Sequence, residues 1–137
     1  LNKIIEKNKL DSHVSFLGVL DETQMAKKMI QSHVFILPSF VENSSNTLGE
    51  AMIMGMPSIV SYCGGVSSLA QDETEALFYR PSDIAMLAHQ IRRIFNNEVN
   101  ISNLTSNAIK KANILYDRKV NSEKLIWTYN KIINNEI

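Results

Sequence analysis

The run His33-Val34-Phe35-Ile36-Leu37, apolar over nearly its whole length and stopped by Pro38, most narrows the folds open to this chain. A strand wet on one face alternates apolar and polar side chains. A near-continuous apolar run is how a strand covered on both faces reads, and such strands belong to parallel sheets. The same pattern recurs in Val14-Ser15-Phe16-Leu17, ended by Gly18, in Ser58-Ile59-Val60-Ser61, and in a short strand over 76–79. Helix-period segments stand between these runs. Residues 1–9 carry Leu1, Ile4 and Ile5 at helical spacing. Asp21, with Gln24 three residues on, forms a capping box for a helix whose apolar face is Met25, Ala26, Met29 and Ile30. A polar loop over 39–46 leads into a helix over about 47–54, which Gly55 and Pro57 terminate. Gly64-Gly65 breaks the chain before a short helix near 67–71. Ser82 caps a helix holding Ile84, Leu87, Ile91 and Ile94. Two more helices follow, one with Leu104, Ala108, Ala112 and Leu115, the other with Leu125, Tyr129, Ile132 and Ile133. Strands alternating with helices predict an α/β fold, a Rossmann-like parallel sheet flanked by helices.

A chain of 137 residues fits a single domain over 1–137 and can hide roughly two-thirds of its unfolded surface. Lys+Arg and Asp+Glu both number 14, which removes the broad positive field of a nucleic-acid binder; no nucleic-acid partner is expected. Cys63 is the only cysteine, so no intrachain disulfide forms and a reducing compartment is indicated. It reads as a partly buried, unreactive thiol. No apolar run approaches the roughly 20 residues that span a bilayer, and no signal peptide is visible. The chain opens at Leu1 inside a helical pattern, as a piece of a longer protein would. His13 and His33 flank strands and His89 sits on a helix, with no partner at metal-ligand spacing, so no metal site is expected. Trp127 and Tyr129 read as packing anchors for the last helix, and the six methionines as core filler.

In parallel sheets ligands sit beyond the carboxyl ends of the strands. The loops after Leu17, Leu37 and Ser61 should therefore share one rim. The second of them places Glu42 before a helix and Glu50 inside it, with seven residues between. Free backbone N–H groups at a helix start suit a phosphate or a sugar hydroxyl. A carboxylate accepts well from paired hydroxyls such as those of a ribose. Spacing alone is weak support, because two Glu residues at this separation arise by chance. A Glu near a helix start is also favourable through the helix dipole alone.

The composite is more specific. An apolar strand ending in Pro38-Ser39 is followed by Glu42, Glu50-Ala51-Met52, Gly55-Met56-Pro57, the strand Ser58-Ile59-Val60 and Gly64-Gly65. Upstream stands Val14-Ser15-Phe16-Leu17-Gly18, and downstream Arg80-Pro81-Ser82-Asp83. In order, spacing and punctuation this resembles the large retaining glycosyltransferase family of the GT-B fold (group 1, family 4), closely over about 1–95 and loosely beyond.

The resemblance implies the C-terminal half of a GT-B glycosyltransferase, with the N-terminal acceptor domain absent. It implies that Glu50 binds the ribose hydroxyls, that Glu42 contacts the donor sugar as the catalytic carboxylate, and that the amides of Ser45, Asn46 and Thr47 hold sugar or diphosphate. Leu20 and Glu22 would lie beside the base. The substrate would be a nucleotide-diphosphate sugar, with no metal and no other cofactor, and the acceptor a glycan or a lipid-linked molecule. The full-length enzyme would be cytoplasmic, with peripheral association at the inner membrane face and a place in polysaccharide biosynthesis. The family's basic pair comes from elements before Leu1, so residues 1–137 alone are expected to be inactive. The family's last helix packs back across the interdomain hinge, which would leave apolar surface exposed here. There are departures. Asn43-Ser44-Ser45-Asn46-Thr47 stands where many members have Gly-Phe-Gly-Leu, close to a subgroup with Asn-Ser-Pro-Asn; Ser68 replaces a frequent Glu, and Ala76 a usual Gly. Two rival readings are a sugar-nucleotide epimerase-like domain and a non-catalytic α/β binding module.

Overall fold

Three parallel strands organise the computed structural model, which describes residues 1–134. They are β1 (Phe35–Leu37), β2 (Ser58–Ser61) and β3 (Leu77–Tyr79), in the order β1-β2-β3. Ile36 stands opposite Ile59, and Val60 opposite Phe78. Helices α1 (Asn2–Lys7) and α2 (Glu22–Ile30) precede β1. The crossovers carry α3 (Asn46–Ile53) and α4 (Val66–Leu69), and α5 (Ile84–Phe95), α6 (Ile101–Leu115) and α7 (Arg118–Ile133) complete the chain.

The two-residue period of a strand sends alternate side chains to opposite faces. On one face Val60 and Phe78 pack with Leu48 and Met52 of α3, Val66 and Leu69 of α4, and Ala108 and Ala112 of α6. On the other, Ile59, Leu77 and Tyr79 pack with Ile94 of α5 and Leu104 of α6. Every residue of the central strand β2 is buried, its serines included, because Ser58 Oγ donates to the Met56 carbonyl and Ser61 Oγ to that of Ser39, whereas β1 is half-buried. Met29, Ala51 and Met56 form a smaller cluster that joins α2 to α3.

The α/β fold with a parallel, helix-flanked sheet is the predicted one, but several local expectations are corrected. Residues 14–17 form no strand; Val14, Phe16 and Leu17 are exposed. A strand exists only where a neighbour takes its backbone N–H and C=O groups, and no described strand lies beside this stretch. The cap of α5 is Asp83, whose Oδ1 accepts from the Met86 amide at 2.8 Å, while Ser82 takes a left-handed φ of 70° in the preceding turn. Leu87, Ile91 and Ile94 face the core, but Ile84 is 80% exposed, so the apolar stripe of α5 starts one turn later than its spacing suggests. Ile30 of α2 is likewise exposed. The capping box is present: Asp21 Oδ1 accepts from the Gln24 amide at 2.8 Å, and the Asp21 amide donates to Gln24 Oε1 at 3.1 Å. Helix α7 has no buried residue, and Trp127 and Tyr129 are more than half exposed rather than packed in as anchors. Lys131 Nζ lies 5.4 Å from the Trp127 ring centre, a cation–π contact within the helix. No described helix is long and apolar enough to cross a membrane.

A polar strut links α5 to β3. The buried Gln90 donates from Nε2 to the Phe78 carbonyl at 2.8 Å and accepts from Arg93 at 2.9 Å, and Arg93 pairs with Glu73 in the turn before β3. The hydrogen bond from Arg93 holds the Glu73 carboxyl below its ordinary value of 4.5. A depressed folded-state pKa adds stability that is present above the unfolded value and is lost as pH falls through the folded one. Stability should therefore decline on acidification below about pH 4.5, and Glu73→Gln should flatten that decline. The pair is partly exposed, so its contribution at neutral pH is only about 0–1 kcal/mol. Urea melts of both proteins between pH 3 and 6 would show it; equal acid slopes would remove Glu73 from the account.

Candidate functional site

The loop after β1 is bound to the end of β2 and to the loop after it by hydrogen bonds to its main-chain carbonyls. The Ser39 carbonyl accepts from Ser61 Oγ at 2.5 Å and from Cys63 Sγ at 3.3 Å. Ser39 Oγ in turn lies 3.5 Å from Glu42 Oε2, at the limit of a hydrogen bond. The Gly65 amide donates to the Glu42 carbonyl at 3.0 Å. A Cβ at Gly64 or Gly65 would overlap the carbonyl oxygens of Glu42 and Asn43 respectively, and Gly64 also has a φ of 48°. The glycine pair thus lets two rim loops touch main chain to main chain, which is a firmer role than a tight turn alone.

Ser45 caps α3: it is buried, and its Oγ accepts from the Leu48 amide at 3.2 Å. That hydroxyl is used internally. The amides of Asn46 and Thr47, the first two of the helix, have no acceptor among the described residues and are two of the orphan donors of a helix N-terminus. Glu50, the fifth residue of α3, is exposed and stands between two clefts of about 250 Å³ each. Glu22, Met25, Met29 and Met54 line the first with it, so a carboxylate pair overlooks an apolar floor. Asn46, Gly49, Ile53 and Tyr116 line the second.

The predicted residues therefore fall into groups. Glu50 meets Glu22 in one cleft and Asn46 in the other. Glu42, half-buried, is fixed at the rim by the glycine pair and lines neither cleft. Leu20 is half-buried just ahead of α2 and lines neither. Tyr116 at the end of α6 is the residue that sequence reading missed. A signal existed: Gly49 sits inside a helix, where glycine costs roughly 0.5–1 kcal/mol relative to alanine, and so marks the close approach of another group. A Cβ there would overlap the Tyr116 hydroxyl. Burial, and then the negative charge of Glu50, raises the phenol above its ordinary pKa of 10.0.

Two larger depressions hold none of the predicted residues. One of about 520 Å³ lies beside β3 and is lined by Tyr62, Asp72, Phe78 and Arg80 among others; one of about 410 Å³ lies between α1 and the 14–16 stretch. Among the described residues no group of three His, Cys, Asp or Glu side chains is placed to hold a metal ion.

A parallel sheet covered by helices, with its loops gathered on the carboxyl rim, is the architecture of the C-terminal domain of GT-B glycosyltransferases. The family model for glycosyl transferases group 1 matches residues 1–97, and the chain belongs to that family. It is 28% identical to protein CapJ of Staphylococcus aureus over 138 residues, covering 96% of this chain and 34% of that protein. It is 24% identical to the N,N'-diacetylbacillosaminyl-diphospho-undecaprenol alpha-1,3-N-acetylgalactosaminyltransferase of Campylobacter jejuni, covering 89% of this chain and 32% of that enzyme. Anabaena HepE, solved in complex with UDP, superposes with a TM-score of 0.87 at 21% identity, over 95% of this chain and 35% of that one. The chain thus spans about a third of the length of the curated relatives it matches.

Proposed function

We propose that this chain is the donor-binding domain of a retaining glycosyltransferase that moves a sugar from a nucleotide-diphosphate sugar to a glycan or lipid-linked acceptor. The observation that carries the reading is the position of Glu50, exposed on α3 between the Glu22 cleft and the free amides of Asn46 and Thr47. In this reading the Glu50 carboxylate accepts from the two ribose hydroxyls. Leu20, Glu22 and the methionine floor of the first cleft flank the base. The α3 N-terminus, through the amides of Ser45, Asn46 and Thr47, faces the diphosphate or the sugar, where its partial positive charge favours an anion. Glu42 contacts the donor sugar from the adjoining rim. Two neighbours agree with a sugar-nucleotide ligand and a lipid-linked acceptor: HepE is solved with UDP and with UDP-glucose, and the Campylobacter relative is named for a diphospho-undecaprenol acceptor.

Rate acceleration would rest on holding donor and acceptor in line and on stabilising the departing diphosphate, with no metal ion. The whole enzyme would work in the cytoplasm, at the inner face of the membrane where a lipid-linked acceptor is presented. Residues 1–137 alone would bind donor without turning it over.

Isothermal titration of the chain with UDP, GDP and ADP and their glucose or mannose conjugates tests the reading. One nucleotide series should bind with a Kd in the micromolar to millimolar range, unchanged by EDTA. Loss of binding in EDTA would contradict metal independence.

A further inference from the structure

We propose that Tyr116, at the junction of α6 and α7, belongs to the nucleotide site as a positioning residue for Glu50, its hydroxyl donating to the carboxylate, or to the ligand held there, from the cleft that the two residues share. The inference rests on the nucleotide reading of Glu50 and adds to it a residue far along the chain. Its phenol lies against the main chain of Gly49, so closely that any side chain at that position would collide with the ring. Glu50 follows Gly49 directly, and both line the same cleft of about 250 Å³ with Asn46 and Tyr116. Among the described residues the Tyr116 hydroxyl has no hydrogen-bond partner, although its ring is partly covered. No hydrogen bond joins Tyr116 to Glu50 in this structure, and a free hydroxyl in the cleft that the carboxylate also lines is a donor available to it or to a ligand that it holds. Burial and the Glu50 charge both keep the phenol protonated, as a donor must be.

Glu50 on an exposed helix face has several rotamers open to it, and ordering one of them on binding costs free energy. A neighbour that narrows those rotamers beforehand raises affinity without touching the base or the phosphates. Losing such a contact weakens binding by roughly 3- to 10-fold, the size of one hydrogen bond.

The experiment is a double-mutant cycle read by calorimetry on the nucleoside diphosphate that the wild-type chain binds among UDP, GDP and ADP. Tyr116→Phe keeps the ring over Gly49 and should leave the melting temperature unchanged while weakening nucleotide binding about 3- to 10-fold. Combined with Glu50→Gln it should add little to the loss caused by Glu50→Gln alone, because the two groups act through each other. Independently of any ligand, the Tyr116 phenol followed by ¹³C NMR should ionise at lower pH in Glu50→Gln than in wild type. Wild-type affinity in Tyr116→Phe, or fully additive losses, would overturn the inference while leaving the nucleotide reading standing. An unmoved Tyr116 titration would overturn the pairing itself. If the titration moves but the wild-type chain binds none of the three nucleotides, the nucleotide reading fails and takes this inference with it.

Discussion

Replacing Gly65 with alanine should lower the melting temperature by about 10 °C and displace the loop that carries Glu42. The added Cβ would fall on the Asn43 carbonyl oxygen, and its neighbours there are main-chain atoms that cannot swing aside as a long side chain can. The 42–43 segment must move, and the hydrogen bond from the Gly65 amide to the Glu42 carbonyl goes with it. Overpacking of this kind costs about 1–3 kcal/mol, and the lost hydrogen bond roughly 0.5–1.5 kcal/mol more. For a domain of this size each kcal/mol moves the midpoint by about 3–4 °C. Ser68→Ala is the matched control: it deletes only an exposed hydroxyl bonded to the Gly65 carbonyl and should shift the midpoint by 2 °C or less, a surface effect of about 0.5 kcal/mol. Differential scanning calorimetry separates the two. A Gly65→Ala midpoint within about 2 °C of wild type, a change worth no more than about 0.5 kcal/mol, would mean that the two rim loops are not held backbone to backbone.

Replacing Glu50 with glutamine should cost far more in affinity than in stability. The carboxylate is exposed and has no hydrogen-bond partner among the described residues, so the fold loses almost nothing when its charge goes. A ligand loses a charged acceptor for two hydroxyls. Hydrogen bonds to charged groups contribute about 1.5–3 kcal/mol, which corresponds to a roughly 10- to 100-fold weaker Kd. Glu22→Gln should fall short of this, since Glu22 shares the cleft but lies in the first turn of α2, where its charge also favours the helix. Calorimetric titration and thermal melts on the same samples measure both quantities. An affinity within about twofold of wild type, under 0.5 kcal/mol, removes Glu50 from the ribose role.

What the sequence disclosed and what it concealed divide along one physical line. β2 was readable because its two central residues, Ile59 and Val60, face opposite sides of the sheet and are both apolar, as a strand covered on both faces requires. The Asp21–Gln24 box was readable because all its bonds are local. Residues 14–17 carry a strand-like pattern, but strand formation depends on a neighbour that the pattern cannot supply. Ser82 and Asp83 are both good capping residues, and Asp83 takes the cap because Ser82 adopts a left-handed φ in the turn before it, which spacing alone does not reveal. Trp127 and Tyr129 are large and aromatic, as packing anchors are, yet both are more than half exposed in the described chain. The same division holds at the site. Ser45, Asn46 and Glu50 lie on one helix and could be placed by counting, as could Glu42 before it. Tyr116 approaches from another helix, and only the glycine at position 49 hinted that something must.

In the proposed function α3 presents Glu50 and its N-terminal amides to a sugar nucleotide. Amide NMR of the ¹⁵N-labelled chain, titrated with UDP-, GDP- and ADP-sugars, tests it most directly. One nucleotide series should shift the resonances of Asn46, Thr47, Glu50 and Glu22 together, with smaller changes at Glu42 and Gly65 and none along α7. If every series leaves these resonances in place at millimolar concentration, or if the shifts gather instead around Tyr62 and Arg80 beside β3, α3 does not hold the donor.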